Sequence, residues 1–197
     1  MPRTREFDPD RALDRAMQLF WEKGYEATSV QDLVERMGIN RFSLYDTFGS
    51  KHDLFLKALD RYGDRVVSAA LKAMEETDGG LSLIRRYFDA TLKFVSSKQG
   101  WQGCLMTNSA VELPHDLQAG PKVQAHLERL EGAFYRQLRA ARRNGELETE
   151  RKPRELARFL TGVTQGLGVL AKGSPGRRAL QSYVDTALSI LDEAGDA

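Results

Sequence analysis

The sequence predicts an all-α protein, and three observations carry that prediction. Apolar residues recur at spacings of three and four through nearly every segment of the 197-residue chain. Ser, Asp or Asn stands before many of these segments and glycine closes several of them, the order of helix caps. No alternating apolar and polar run of useful length, no internal repeat and no low-complexity tract occurs.

In the first element, Asp8 is a cap with Pro9 at the first helical position. Ala12, Leu13, Ala16, Met17, Phe20 and Trp21 form its stripe, and Gly24 ends it. In "TSVQDLVERMG", Ser29 and Asp32 have the spacing of a reciprocal capping box, and Gly38 is the stop. Asn40 caps "RFSLYDTF", a helix of about two turns. Leu44 and Phe48 form its inward pair, and Ile39 staples it. Ser50 and Asp53 open one long helix from Lys51 to Glu76, and Gly79-Gly80 is the clearest interior break. Beyond it Ile84, Tyr87, Phe88, Thr91, Leu92 and Val95 share a face. "SKQGWQG" reads as a loop and "CLMTNSAVEL" as a short helix ending before Pro114. A long helix starting at Pro121 carries Val123, Leu127, Leu130, Phe134 and Leu138 and closes at Asn144-Gly145. Helices over 153–172 and 175–194 open on Pro153 and on Ser174-Pro175.

Composition narrows the function. With 41% hydrophobic residues the chain can build a core. No secretory signal and no run of about 18 apolar residues is visible, so a soluble cytoplasmic protein without a membrane partner is expected. Cys104 is the only cysteine, which excludes an internal disulfide and a multi-cysteine zinc site. His115, His126 and His52 lack metal-like spacing, and no metal or cofactor is expected. "QGLGVLAKG" fails as a nucleotide loop because no strand precedes it. The formal net charge is +1, and the first 65 residues hold slightly more acids than bases. Any contact with nucleic acid must rest on a few placed residues.

Such residues occur at the second and third helices, which the turn Gly38-Ile39-Asn40 joins as a helix-turn-helix. With Leu44 and Phe48 inward, the third helix presents Arg41, Phe42, Ser43, Tyr45 and Asp46. Arg41 can fork onto guanine or grip a phosphate, Ser43 can bond a base edge, and Phe42 can lie against a thymine methyl. Tyr45 and Lys51 have the reach for phosphates, as do Thr28 and Ser29 at the start of the second helix. Arg3 and Arg5 form a basic arm suited to a minor groove. Asp46 opposes this reading, since a carboxylate repels phosphate.

"FWEKGYEATSVQDLVERMGINRFSLYDTFGSKHDLFLKAL", residues 20 to 59, closely resembles the DNA-binding region of the tetracycline-repressor (TetR) family of bacterial regulators. The matching pieces are Phe20, Gly24-Tyr25, Thr28-Ser29, Leu33, Gly38-Ile39, Leu44-Tyr45, Phe48, Lys51 and Leu54. The rest of the chain resembles the family in helix layout, and "GCLMTNSAVEL" looks like a segment of one branch of it. Phe42 departs from the pattern, because the family usually has a small residue there. The resemblance implies a DNA-binding domain over 1–50 and a helical ligand-binding and dimerisation domain over 51–197. It also implies a homodimeric, ligand-responsive repressor, not an enzyme, whose partners are double-stranded operator DNA and a small-molecule effector. The last two helices would form a four-helix dimer interface. Gly162, Gly166 and Gly168 would serve its close approach, and Tyr183, Val184, Ala187, Leu188 and Leu191 its apolar face.

Candidate effector contacts are Phe88, Leu92, Trp101, Met106, Asn108, Phe134, Tyr135, Phe159 and Gln165, the polar ones fixing orientation. Cys104 at the start of the short helix is a further candidate, since a helix N-terminus favours the thiolate. Free cysteine is more often a small buried hydrophobe, which is the reading preferred for Cys104. The competing function is a small helical thiol enzyme or a redox sensor using Cys104.

Overall fold

The computed structural model describes residues 7–147, 149–173 and 176–192. The basic arm at Arg3 and Arg5 and the Ser174-Pro175 opening of the last helix lie outside them. Among the described residues every element is helical. They run α1 (Pro9–Lys23), α2 (Val30–Met37), α3 (Arg41–Phe48), α4 (Lys51–Tyr62), α5 (Ser68–Glu76), α6 (Leu81–Val95), α7 (Leu105–Glu112), α8 (Ala119–Arg143), α9 (Pro153–Lys172) and α10 (Arg177–Ser189).

The caps form where the sequence places them. Asp8 Oδ1 accepts from the Asp10 N–H at 2.9 Å, and both capping boxes, Ser29 with Asp32 and Ser50 with Asp53, close reciprocally. Asn40 Oδ1 accepts from the Ser43 N–H at 2.8 Å. Gly38 takes a left-handed conformation (φ 71°), which turns the chain sharply between α2 and α3. Arg15 Nη1 donates to the Met37 carbonyl and satisfies one of the orphaned acceptors at the end of α2.

Aromatic packing of α1 on α4 holds the first helices together. Phe20 is fully buried and meets Phe55 edge-on at 5.1 Å, while Trp21 meets Tyr62 edge-on at 4.9 Å and stacks on Phe94 of α6. The expected long helix from Lys51 to Glu76 is interrupted: Gly63–Val67 form a π-helical turn between α4 and α5. The Ser68 hydroxyl donates to the Gly63 carbonyl there at 3.0 Å. The expected loop before α7 contains a 3₁₀ turn, Gly100–Gln102, and α8 begins at Ala119, so that Pro121 lies in its first turn.

In the larger half α8 lies against α9, with α5 and α6 packed beside them and α10 against α6 and α9. Gln137 of α8 is completely buried and ties the α5–α6 turn. Its Nε2 donates to the carbonyls of Met74 and Thr77, and its Oε1 accepts from the N–H groups of Gly79 and Gly80. One amide thereby satisfies groups at the end of α5 and the start of α6.

The glycines of α9 have mostly internal work. A Cβ on Gly166 would lie 2.6 Å from the Tyr183 hydroxyl, and Gly168 faces Cys104, whereas Gly162 has open space. Val184, Ala187, Leu188 and Leu191 are buried within the chain, so the apolar face expected for an interface is largely core. Tyr183 stays partly exposed, with Phe159, Val169 and Leu170 of α9.

Gln137→Leu leaves buried backbone groups without partners. Urea unfolding is expected to show a loss of at least about 1–3 kcal/mol, the cost of one orphaned group, with an unchanged m-value.

Candidate functional site

The outward face of α3 is present as its sequence implies. Leu44 and Phe48 are buried beneath it, and Arg41, Phe42, Tyr45 and Asp46 are exposed. Phe42 is 75% exposed, an unusual position for a large ring. The Arg41 guanidinium lies 5.9 Å from the Tyr45 ring, and Ser43 is half-buried. Ser29 is exposed at the start of α2, and the Lys51 ammonium sits 4.3 Å over the Tyr25 ring at the start of α4. Thr28 does not share this face. Its side chain is buried and its hydroxyl donates to the Gly24 carbonyl at 2.6 Å, so its role is to close the turn before α2. His52 bonds Gln118 Oε1 at 3.0 Å and neighbours the Asp116 carboxylate, joining the start of α4 to the segment before α8.

A cavity of about 290 Å³ lies in the larger half, bounded by the π-helical turn, α6, α8, α9 and the start of α7. Of the candidate effector contacts, Cys104 and Gln165 line it. The other expected contacts do not. Phe88 and Phe134 are fully buried and stack on each other at 5.7 Å, as core. Trp101 is half-exposed beside a separate shallow groove near α10, and Asn108 spends its amide on the Gln102 carbonyl. Leu92 and Met106 are buried, Tyr135 lies beneath Arg154 on the surface of α8, and Phe159 is exposed.

The remaining polar lining comes from residues the sequence reading did not select for the cavity: Tyr62, Tyr87, Thr91, His126 and Thr164. His126 could have been found. It falls between Val123 and Leu130 at spacings of three and four, an imidazole inside an apolar stripe. The hydroxyls of Thr91 and Thr164 donate to the carbonyls of Tyr87 and Leu160 in their own helices, and both face the Tyr87 phenol. Gln165 bonds the Thr107 hydroxyl. Among the described residues no Lys, Arg, Asp or Glu side chain lines the cavity.

Burial pushes the Tyr62 phenol well above its ordinary range and the Tyr87 phenol up to about 12, so both stay neutral donors. Burial also raises the Cys104 thiol, but the adjacent His126 imidazole, the Thr107 N–H and the Tyr62 hydroxyl outweigh it and bring the thiol down to about 7. His126 Nδ1 is shut off from solvent and has no hydrogen-bond partner among the described residues.

A helix-turn-helix with an exposed outer face, joined to a larger helical half, is the architecture of a DNA-binding regulator. The family model of bacterial regulatory proteins of the tetR family matches residues 12–58, and that of the tetracyclin repressor-like C-terminal domain matches residues 80–187. The chain is 38% identical to YezE, an HTH-type transcriptional regulator of Bacillus subtilis (strain 168), over 98% of this chain and 100% of that one. It is 33% identical to the HTH-type transcriptional repressor ComR of Escherichia coli (strain K12), over 97% of this chain and 92% of that one. Among solved structures, a cysteine mutant of the TetR-family regulator CifR complexed with 26-base-pair operator DNA superposes with a TM-score of 0.85. It shares 30% identity over 96% of this chain and 99% of its own. The chain belongs to the TetR family. It is a DNA-binding transcriptional regulator, and the thiol-enzyme alternative falls away. Among the described residues no helix is long and apolar enough to cross a membrane, and no cluster of His, Cys, Asp or Glu could hold a metal.

Alkylation of Cys104 by iodoacetamide should accelerate with pH along a curve centred near 7 in place of the ordinary 9.0, because the thiolate is the reacting form. His126→Leu removes the imidazole that favours the thiolate and should move that curve to higher pH. A stopped-flow rate profile checks both.

Proposed function

We propose that the protein is a homodimeric repressor that occupies operator DNA and leaves it when a small, uncharged molecule fills the cavity of each subunit. Residues 1–50 act as the reading head and residues 51–197 as the sensor and dimerisation half, in the cytoplasm where the DNA is. The exposed face of α3 carries this reading. Arg41, Phe42 and Tyr45 stand in solvent on a helix anchored from beneath, an arrangement with no role inside the subunit. The name of ComR as a repressor and the operator complex of CifR support the same direction.

Arg41 reads guanine or holds a phosphate near it, Ser43 bonds a base edge, and Phe42 lies against a thymine methyl. Tyr45, Lys51 and Ser29 take phosphates. The exposed apolar residues Phe159, Val169 and Leu170 of α9, with Tyr183 of α10, form the contact between subunits. Two heads about 34–36 Å apart would meet successive major grooves, and an effector need only favour another spacing to release them. An uncharged effector fits the lining: among the described residues no Lys, Arg, Asp or Glu is present to compensate an ionic ligand, while hydroxyls, an amide and an imidazole can orient a neutral one.

A second reading rests on Cys104. Its thiol faces the cavity and ionises near neutrality, which suits capture of an electrophile or oxidant that enters there.

Gel shifts with the DNA upstream of the gene test the first reading. Affinity should fall steeply with salt, as phosphate contacts require; binding indifferent to salt contradicts it. Arg41→Ala is expected to weaken specific binding by about 1–3 kcal/mol if it forks onto guanine. An equal loss on random DNA would reassign it to phosphate. Neutral aromatic and aliphatic compounds should raise the melting temperature and shift the protein off that DNA, and ionic ones should do neither.

A further inference from the structure

We propose that Glu112 is the positioning residue through which the sensor half holds the reading head, and that α7 is the strut linking that grip to the cavity. The strut role rests on the effector reading above; the positioning role does not.

Glu112 is the last residue of α7, and its carboxylate lies in a cradle of backbone at the turn between α1 and α2. Oε2 accepts from the Tyr25 N–H at 2.9 Å and Oε1 from the Glu26 N–H at 2.8 Å, across 87 and 86 residues of sequence. Two parallel charge-assisted bonds fix position and orientation together. The turn is shaped around them. Gly24 has φ 84°, and a Cβ there would lie 2.9 Å from both carboxylate oxygens, so a larger residue would displace the grip.

What the carboxylate holds is the base of the DNA-facing surface. The Thr28 hydroxyl bonds the Gly24 carbonyl, one residue before Ser29. The Tyr25 ring packs on Phe20 and Phe55, and Lys51 lies over it. Displacing this turn therefore moves the start of α2 and the start of α4 together.

The other end of α7 touches both the head and the cavity. The Gly103 carbonyl accepts from the buried Trp21 Nε1 at 3.0 Å. Gly103 lies so close to α9 that a Cβ on it would be 2.7 Å from the Gly168 carbonyl oxygen. Gly103 and Cys104 are both wall residues of the cavity. Eight helical residues span about 12 Å and transmit a push without absorbing it. A group that expands the cavity at Cys104 shifts α7 and withdraws the carboxylate from its two donors.

Because Cys104 is the only cysteine, the cavity can be filled at one defined atom. Benzyl methanethiosulfonate serves as the probe: the Cys104 thiolate attacks its sulfenyl sulfur, an S–S bond forms, and methanesulfinate leaves with the electron pair. Affinity for the upstream DNA is measured for the full-length protein and for Glu112→Ala, each with and without the label. Amide exchange at Tyr25 and Glu26 is followed alongside.

Unlabelled Glu112→Ala should bind about tenfold more weakly while still unfolding cooperatively, with Glu112→Gln between it and the unaltered protein. The label should weaken the unaltered protein by a similar factor and add little to Glu112→Ala, since both break the same link. Exchange at Tyr25 and Glu26 should quicken in each weakened form while core amides stay protected. Undiminished binding by Glu112→Ala overturns the positioning role. A label effect carried over in full onto Glu112→Ala overturns the strut. A label that leaves the unaltered protein's binding intact overturns the strut and counts against the effector reading, without touching the positioning role.

Discussion

The aromatic seam between α1 and α4 is the interaction on which the remainder depends. Phe20 and Phe55 meet edge-on with no exposure to water, and Trp21 and Tyr62 repeat the contact further along the same two helices. Rings of this size contribute more burial per residue than any aliphatic pair, and their edge-to-face geometry favours one helix orientation. With α1 and α4 locked, α2 and α3 have one place to sit, and α3 turns its polar side to solvent. The same α4 continues through a π-helical turn into the larger half, so the seam also sets where that half begins.

Electrostatics in this chain is local. A formal charge of +1 gives no general attraction to nucleic acid, and several charged groups of the first helices are held in ion pairs. Arg61 bridges Asp10 and Asp14 on α1, Lys23 meets Asp32, Arg36 meets Glu22, and Arg129 forks onto Glu75. Paired charges of this kind steer little at a distance. The exposed Arg41 on α3 therefore matters more than its single charge suggests.

The cavity exists because helices that carry small or kinked backbone fail to close on one another. The π-helical turn adds a residue to its helical turn and moves Val66 and Val67 out of α-helical register. Gly103 and Gly168 let the start of α7 approach α9 at one corner, which sets the Cys104 thiol at the wall beside His126. The resulting polar groups are sparse, and among the described residues they include no Lys, Arg, Asp or Glu.

The helix caps of the first half and the outward face of α3 were legible in the sequence because both are local. A cap forms with a neighbour three residues away, and the inward pair Leu44 and Phe48 leaves the other residues of a short helix outside. Thr28 was misread because its hydroxyl found a carbonyl four residues back, a choice the turn at Gly24 made. The cavity was only partly legible. Phe88 and Phe134 have the composition of ligand contacts yet stack on each other, while Cys104 and His126 meet only because α7 and α8 pack together. The sequence alone determined that the chain is helical, where the capped helices of its first half begin, and which side chains α3 offers. Tertiary structure decided which residues line the cavity and that Glu112 reaches the Gly24 turn, because such contacts depend on how distant helices cross and no residue spacing encodes a crossing angle.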